Sequence, residues 1–343
     1  MTEPLLLKGA PGSPYTRKML AVLRYRQIPY SLLVAGSPRL QAMPVPKVEL
    51  LPTFYLHNAD GEVEALTDST PLLRRFEAMY TGPRVQPSNP ALRFIDSLLE
   101  DYGDEWLTKC MFHYRWHFAD DIAKAGNILP RWRNVTASDE MAADMSAKFA
   151  SRQINRLHFV GSNTKTWDVI EQSYMRFLDA MEAHLKLFPF MMGARPGACD
   201  FAAFGQLTQL AHFDPTPAGI ALQRAPRVYA WVGLMEDLSG LSPTEGDWLN
   251  PAALPDSLLA ILREAGRTYV PLMIANARAL MAKADTVNTS IEGKAWTQNA
   301  FPYQGKCLKW LREEFSLLNS NDRAAASKIL ERTGCVALIR EPL

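Results

Sequence analysis

The stretch PLLLKGAPGSPYTRKMLAVLRYRQIPYSLLV, residues 4–34, decides the fold of this chain. Its opening apolar run ends at a glycine- and proline-rich turn, which is typical of a strand. Ser13 is a natural N-cap, and Pro14 suits the first helical position because its missing N–H would be unpaired there anyway. A helix is predicted over 15–26, and a proline ends it before a second strand at 30–34. The stretch therefore predicts a β-α-β unit whose parallel strands are joined by a right-handed crossover.

The residues that follow continue the pattern of strands and helices. A proline-rich stretch at 36–48 leads into a strand at 50–56. Turn residues at 58–61 pair that strand with an antiparallel partner at 62–66. Capping residues and a proline at 67–71 then begin another helix. The predicted order is βαβ followed by ββα.

Beyond a linker rich in turn residues at 81–90, the apolar period becomes helical. No convincing strand interrupts residues 91–245, after which prolines mark a second boundary. We therefore predict three parts: a sheet-containing domain at 1–82, a helical domain at 90–245, and a C-terminal extension at 246–343.

The extension carries helical apolar stripes at 258–284 and 306–318, with Pro271 predicted to kink or break the first. The short apolar segment 334–339 is either a strand or a tail docked on the protein. Two helices alone would bury little of their surface, so we expect the extension to pack on the helical domain.

Composition excludes several classes of protein. The chain has 343 residues, a formal charge of +1 and 48% hydrophobic residues, and its basic clusters are too short to form a nucleic-acid surface. No apolar run approaches the roughly 18 residues of a membrane span, and the N-terminus is too short and acidic for a secretory signal. We expect a cytoplasmic protein with neither nucleic-acid nor membrane partners.

Cysteines and histidines give little sign of a metal or a disulfide. The four cysteines are far apart and make no zinc-type spacing. His113 and His117 are four residues apart, which places them on one helical face. Such a pair can bind a metal, but the sequence supplies no third ligand, so no metal site is predicted.

Three local patterns resemble the glutathione transferase superfamily. Ser13-Pro14-Tyr15-Thr16-Arg17-Lys18 is similar to the start of that family's first helix, Leu51-Pro52 matches its cis-proline, and Asp68-Ser69 is similar to its acidic-serine pair. The resemblance implies a thioredoxin-like βαβ-ββα domain followed by an all-helical domain, which is an α/β plus all-α fold. It covers roughly residues 4–240, so the helical extension has no counterpart in a typical member.

A fourth segment, Gly193 to Phe201, looks like the family's G-x-x-x-S-x-A-D-F element, which starts a buried helix. Gly197 stands where the family has a capping hydroxyl, and Cys199 replaces an alanine. Without that hydroxyl the reciprocal capping box is incomplete, so we expect a weaker helix start.

The resemblance implies glutathione as co-substrate and a homodimer. A cis Leu51-Pro52 bond would expose the backbone of Leu51 to the cysteinyl unit, as an added strand does. Asp68 would hold the ammonium of the γ-glutamyl group and Ser69 its carboxylate, at a helix N-terminus that favours anions. As an alternative, Asp68 or Ser69 simply caps its helix.

Ser13 is the candidate for stabilising the glutathione thiolate, with Tyr15 as the second candidate and a plain helix cap as the alternative for Ser13.

The electrophile site is predicted at Tyr15, Trp106 and His113, although such an aromatic stripe is also typical of a protein core. The family often carries a lysine where this chain has Leu50, so the contact with the glycyl carboxylate falls to Lys47 or Gln41 or is absent.

Two functions remain open. The first is an enzyme that activates glutathione for attack on a small hydrophobic electrophile. The other is a non-catalytic binding or scaffold module with the same fold, since fold does not fix function. Thiol-disulfide exchange is disfavoured because no C-x-x-C pair is present.

Overall fold

A four-stranded mixed sheet forms the first part of the chain in the computed structural model, which describes residues 3–341. The strands and helices of this part are β1 (Leu5–Lys8), α1 (Pro14–Tyr25), β2 (Tyr30–Leu33), α2 (Pro38–Gln41), β3 (Thr53–His57), β4 (Val63–Leu66) and α3 (Ser69–Met79). The strand order is β2-β1-β3-β4, with β2 parallel to β1 and β3 antiparallel to both of its neighbours. The predicted βαβ-ββα order and fold class are confirmed.

Two helices of this domain begin with the same signal. Ser13 caps α1 and is followed by Pro14, while Ser37 caps α2 and is followed by Pro38. In each case the serine hydroxyl accepts a hydrogen bond from a backbone N–H of the first turn. The short α2 lies in the proline-rich stretch at 36–48, where no helix was predicted.

A helical domain follows the linker. Its helices are α4 (Pro90–Tyr102), α5 (Thr108–His117), α6 (Ala119–Arg131), α7 (Asp139–Ile154), α8 (Trp167–His184), α9 (Ala198–Leu207), α10 (Pro215–Arg224) and α11 (Pro226–Leu234). A π-helical turn, Gly103–Leu107, joins α4 to α5, and a second, Thr208–Phe213, follows α9. Isolated bridges are the only strand-like pairings that the structure has within 91–245. None of the helices in the described part of the chain is long and apolar enough to cross a membrane.

The extension is helical apart from one β-hairpin, which was not predicted. It contains α12 (Asp256–Arg267), α13 (Tyr269–Met281), β5 (Thr286–Ile291), β6 (Lys294–Asn299), α14 (Pro302–Ser316), α15 (Ser320–Thr333) and α16 (Ala337–Arg340). The antiparallel β5–β6 hairpin turns at Glu292 and Gly293, which both have positive φ, 53° and 75°. The helix break predicted at Pro271 lies at Thr268, because a proline in the first turn of α13 needs no N–H partner.

The segment 334–339 is not a strand. Gly334, in a left-handed conformation with φ 75°, ends α15, and the short α16 follows. Cys335 and Leu338 are both buried, so the alternative of a docked tail describes this segment.

Side chains of the extension pack against the helical domain. Arg176 of α8 makes two hydrogen bonds, of 2.7 and 2.9 Å, with Glu264 of α12. On α4, the ring of Phe94 packs edge-on against Phe315 of α14 at 5.2 Å. The apolar residues of α12 join the core of the helical domain in one continuous cluster.

The start of α9 differs from the expectation for its incomplete capping box. Asp200 accepts from the N–H of Gly197 at 2.9 Å, as the box requires. The missing hydroxyl is replaced by Asp96 of α4, which accepts from the N–H groups of Ala198 at 3.2 Å and Cys199 at 3.0 Å. The N–H groups that the missing hydroxyl would leave free at the start of α9 are therefore paired by a carboxylate from another helix.

Candidate functional site

The start of α1 brings together two of the predicted site residues. The Ser13 hydroxyl accepts from the Thr16 N–H at 3.2 Å and donates to the carbonyl oxygen of Leu51 at 3.2 Å. The Leu51–Pro52 peptide bond is cis, as the resemblance implied for this position. This contact places the bend before β3 beside the N-terminus of α1, with Pro52 buried and Leu51 half-buried.

Tyr15 lies next to this point but is engaged elsewhere. Its hydroxyl donates to the carbonyl oxygen of Asp104, in the π-helical turn, at 2.8 Å. Burial raises the pKa of Tyr15 well above 10, and the carboxylates of Glu105 and Asp104 raise it further. The phenol is therefore neutral at physiological pH, and its proton is already used in a bond to the backbone.

The start of α3 lies under the C-terminal extension. Asp68 has φ 86° and ψ 103°, and its side chain makes no capping bond to α3. Instead Tyr303 of α14 donates to one Asp68 oxygen at 2.8 Å, and Lys306 lies 3.7 Å from the other. Ser69, the first residue of α3, is buried. The alternative of a plain cap therefore does not describe Asp68, whose partners come from the extension.

Buried charges connect the two domains behind these helix starts. Lys18 of α1 is fully buried and contacts Glu100 at 2.7 Å and Asp104 at 2.6 Å. Burial alone would lower the pKa of Lys18, but the two carboxylates raise it. Lys18 is therefore charged at physiological pH. Burial raises the pKa of Asp104 to about 6, with Lys18 opposing that shift. Sequence reasoning missed this cluster, since Lys18 reads as an ordinary basic residue of a helix.

Two cavities lie close to the helix starts. One, of about 400 Å³, lies between α3, α4 and α14 and is lined by residues that include Arg74, Cys307 and Trp310. The other, of about 480 Å³, is lined by Pro11 and by the aromatic rings of Trp132 and Phe213. The second cavity is adjacent to the loop that carries Ser13.

The predicted electrophile residues lie apart from both cavities. Trp106 is fully buried, donates from its indole nitrogen to Ser173 at 3.0 Å, and packs against Trp296 of the extension at 5.3 Å. His113 is fully buried and lies 2.8 Å from the Ser162 hydroxyl. The structure thus places Trp106 and His113 in packed surroundings, where neither lines an open cleft.

The remaining predicted contacts concern the glycyl carboxylate. Leu50 is exposed, and so are Lys47 and Gln41, the two residues proposed to replace the missing lysine. No hydrogen bond within residues 3–341 involves the side chain of Lys47 or Gln41. Both remain candidates for a charged or amide contact with a ligand.

Comparison with known proteins adds two family matches. Residues 7–84 match the model for the glutathione S-transferase N-terminal domain, and residues 152–233 match the model for the glutathione S-transferase C-terminal domain. Residues 234–343 lie outside both matches. A comparison with curated proteins finds no match.

Several solved structures are also similar to the chain. A glutathione transferase family member from Pseudomonas fluorescens pf-5, with two glutathione bound, is 16% identical, with 68% of this chain and 88% of that chain covered and a TM-score of 0.40. The beta-etherase LigF from Sphingobium sp. strain SYK-6 is 17% identical, covering 68% and 95%, with a TM-score of 0.47. The Tau class glutathione S-transferase from mango is 21% identical, covering 71% and 94%, with a TM-score of 0.40.

Proposed function

The chain belongs to the glutathione transferase superfamily, and from this premise we propose that it is a glutathione transferase. In this proposal the protein binds glutathione beside α1 and α3. Ser13 stabilises the thiolate, which attacks a small hydrophobic electrophile. The observation that carries the proposal is the contact of 3.2 Å between the Ser13 hydroxyl and the carbonyl oxygen of Leu51, next to the cis bond.

The contact between Ser13 and Leu51 suggests how glutathione would engage the site. A cysteinyl unit paired with Leu51 in the manner of an added strand would donate its N–H to the Leu51 carbonyl oxygen. That oxygen now accepts from the Ser13 hydroxyl. Once the ligand N–H takes over this acceptor, the hydroxyl is free to rotate and donate to the sulfur.

The energies are sufficient for a thiolate at neutral pH. A free thiol with a pKa near 8.5 must fall by roughly two units to be mostly ionised, which corresponds to about 2.7 kcal/mol. A hydrogen bond to a charged group gives roughly 1.5 to 3 kcal/mol. The N-terminus of α1 adds roughly 0.3 to 2 kcal/mol, because its free N–H groups favour negative charge.

Asp68 and Ser69 would hold the γ-glutamyl end. The ammonium of glutathione would occupy the position of the Lys306 ammonium, which lies 3.7 Å from the Asp68 carboxylate. Tyr303 can keep its 2.8 Å bond to the other oxygen while this exchange takes place. The ligand carboxylate would lie against the first turn of α3, where backbone N–H groups are free.

The cavity lined by Trp132 and Phe213 is the best place for the electrophile. It is next to the loop that carries Ser13, and its aromatic rings suit an apolar ligand. This assignment replaces Trp106 and His113 as lining residues.

A second function is favoured by the same contacts with α14. Because Lys306 lies where the ammonium of glutathione would bind Asp68 in this proposal, the chain could be a non-catalytic module whose glutathione site is filled by its own extension. The two functions differ in one measurable property, which is glutathione binding by the intact protein.

Calorimetry with reduced glutathione on the full chain tests the proposal, followed by turnover of a panel of aryl halides, epoxides and α,β-unsaturated carbonyls. Binding together with thiolate absorbance at neutral pH and turnover of one class supports the enzyme. A folded protein that binds no glutathione, or binds it without turnover of any class, supports the module instead.

A further inference from the structure

Three potential metal ligands meet where α5 ends and α8 begins. His113 and His117 lie on α5, and Glu171 lies on the first turns of α8. One ligand atom from each residue lies within 4.8 Å of the others. The sequence indicates the histidine pair alone, because the third ligand comes from a helix far along the chain.

His113 is held in a fixed orientation. The residue is fully buried, with Nδ1 2.8 Å from the Ser162 hydroxyl and Nε2 3.3 Å from a Glu171 carboxylate oxygen. In the tautomer whose Nδ1 donates to Ser162, the Nε2 lone pair faces the Glu171 carboxylate, and a cation between the two would stabilise this arrangement. Metal-binding histidines commonly have this arrangement, in which a hydrogen bond at one ring nitrogen orients the other toward the ion.

His117 and Glu171 complete the group from its open side. The imidazole of His117 stacks on that of His113 at 4.8 Å, and its other neighbours include the Trp167 ring at 4.1 Å. His117 is half-buried, and the Glu171 side chain is 33% exposed. An ion can therefore enter from solvent, and a water molecule can occupy a fourth position.

Only small movements separate this group from tetrahedral coordination. Zinc lies about 2.0–2.2 Å from nitrogen and oxygen ligands, so tetrahedral ligand atoms are about 3.4 Å apart. The present separations, up to 4.8 Å, must shrink by about 1.4 Å at most. Rotation of the two partly exposed side chains, His117 and Glu171, can supply that change while His113 stays in place.

We propose that His113, His117 and Glu171 bind a divalent transition-metal ion. Two imidazoles and one carboxylate are a ligand set that suits zinc, with the fourth position left to water. The ion would also tie α5 to α8. The site is independent of glutathione, since it uses none of the residues that the proposed function requires.

Titration calorimetry with zinc chloride on chelator-treated full-length protein, without glutathione, tests the proposal. We expect one zinc per chain and a higher melting temperature with zinc than with chelator. His117→Ala and Glu171→Gln change partly exposed ligands and should each weaken binding by at least about tenfold. His158→Ala is the matched control, because His158 is exposed on a neighbouring turn and lies outside the group.

Cobalt substitution gives a second measurement, since cobalt in a four-coordinate nitrogen and oxygen site has a visible spectrum that the two ligand variants should lose. Equal zinc affinity in the parent and the His117→Ala/Glu171→Gln double variant would overturn the proposal. So would the absence of zinc binding in a parent protein that circular dichroism shows to be folded. In that case His113 and Glu171 form only a hydrogen-bonded pair, with the Nε2 proton between them.

Discussion

At the start of α1 the Ser13 side chain caps its own helix, whereas at the start of α3 the Asp68 side chain makes no cap and is bound by α14. The first arrangement is local and would survive in an isolated N-terminal domain. The second depends on contacts between residues more than two hundred positions apart in sequence. The extension therefore contributes to the α3 end of the proposed glutathione site, whereas the first domain alone forms the α1 end.

Removal of the extension should have the largest effect. A chain ending at Pro251 would expose the face of α8 that α12 covers, including the partners of Leu258, Ile261 and Leu262, which are fully buried. Each such side chain contributes about 1.5–3 kcal/mol when buried. We expect a lower melting temperature, aggregation and binding of a hydrophobic dye. A shortened chain with unchanged melting temperature, solubility and activity profile would show that the extension is an independent appendage.

A change of pH tests the buried charges beneath α3 and α14. Burial raises the pKa of Glu105 to about 8, and Asp101 and Asp104 raise it further, while Gln304 and Lys109 oppose the shift. The folded protein therefore holds a proton that the unfolded chain releases above its ordinary pKa of 4.5. The free energy of unfolding should therefore fall as pH rises from about 4.5 to about 8. Above about pH 8 this carboxyl is ionised in both states and causes no further loss.

Glu105→Gln should reduce the loss of stability between pH 5 and pH 8 by more than about 1.4 kcal/mol, the free energy that corresponds to one pKa unit. Chemical denaturation at pH 5 and pH 8 measures the difference, and Glu140→Gln, at an exposed position, is the control. An unchanged slope in the Glu105 variant would mean that the carboxyl is ionised in the folded protein.

Ser13→Ala tests the α1 end. Loss of a hydrogen bond to the thiolate costs about 1.5–3 kcal/mol, which corresponds to a fall in turnover of about 10- to 150-fold. Loss of the helix cap also costs about 1 kcal/mol of stability. Ser37→Ala is the matched control, because it removes the cap of α2 and should leave turnover unchanged. Unchanged thiolate absorbance in Ser13→Ala would exclude the Ser13 hydroxyl as the donor to the thiolate.

Asp68→Asn tests the α3 end. Loss of the charged partner of the γ-glutamyl ammonium should weaken glutathione binding by about tenfold, with little change in kcat because this end is remote from sulfur. Ser69→Ala should act in the same direction. Calorimetry measures both variants, and Asp60→Asn, on an exposed turn, is the control. Equal affinity in Asp68→Asn and the parent would place the ammonium elsewhere.

Lys306→Met should cause the smallest change in glutathione affinity, and it distinguishes the two proposed functions. An exposed ion pair contributes about 0.2–1 kcal/mol, so removal of the competing ammonium should tighten glutathione binding by about 1.4- to fivefold. Lys309→Met, an exposed position on the same helix, is the control. Weaker binding in the Lys306 variant would mean that this lysine contacts the ligand instead of competing with it.

The sequence predicts the α1 end well and the α3 end poorly, for a physical reason. Strand, turn, cap and proline at residues 4–34 are neighbours in the chain, so local patterns specify them. The contact of Tyr303 with Asp68 and the capping of α9 by Asp96 join distant segments and leave no periodic signal. The β5–β6 hairpin was missed because its Glu292-Gly293 turn lacks the usual Asn-Gly or Asp-Gly signal.

Because Asp96 caps α9, the residues that can stand at position 96 and at position 197 depend on each other. A Cβ on Gly197 would lie 2.4 Å from an Asp96 carboxylate oxygen and 2.6 Å from Met192 Cγ, so a serine at this position has no room beside these two side chains. Removal of Asp96 alone would leave the N–H groups of Ala198 and Cys199 without their partner. The residues at positions 96 and 197 are therefore coupled: the aspartate that caps α9 requires glycine at position 197, and a serine there would also need Met192 to move.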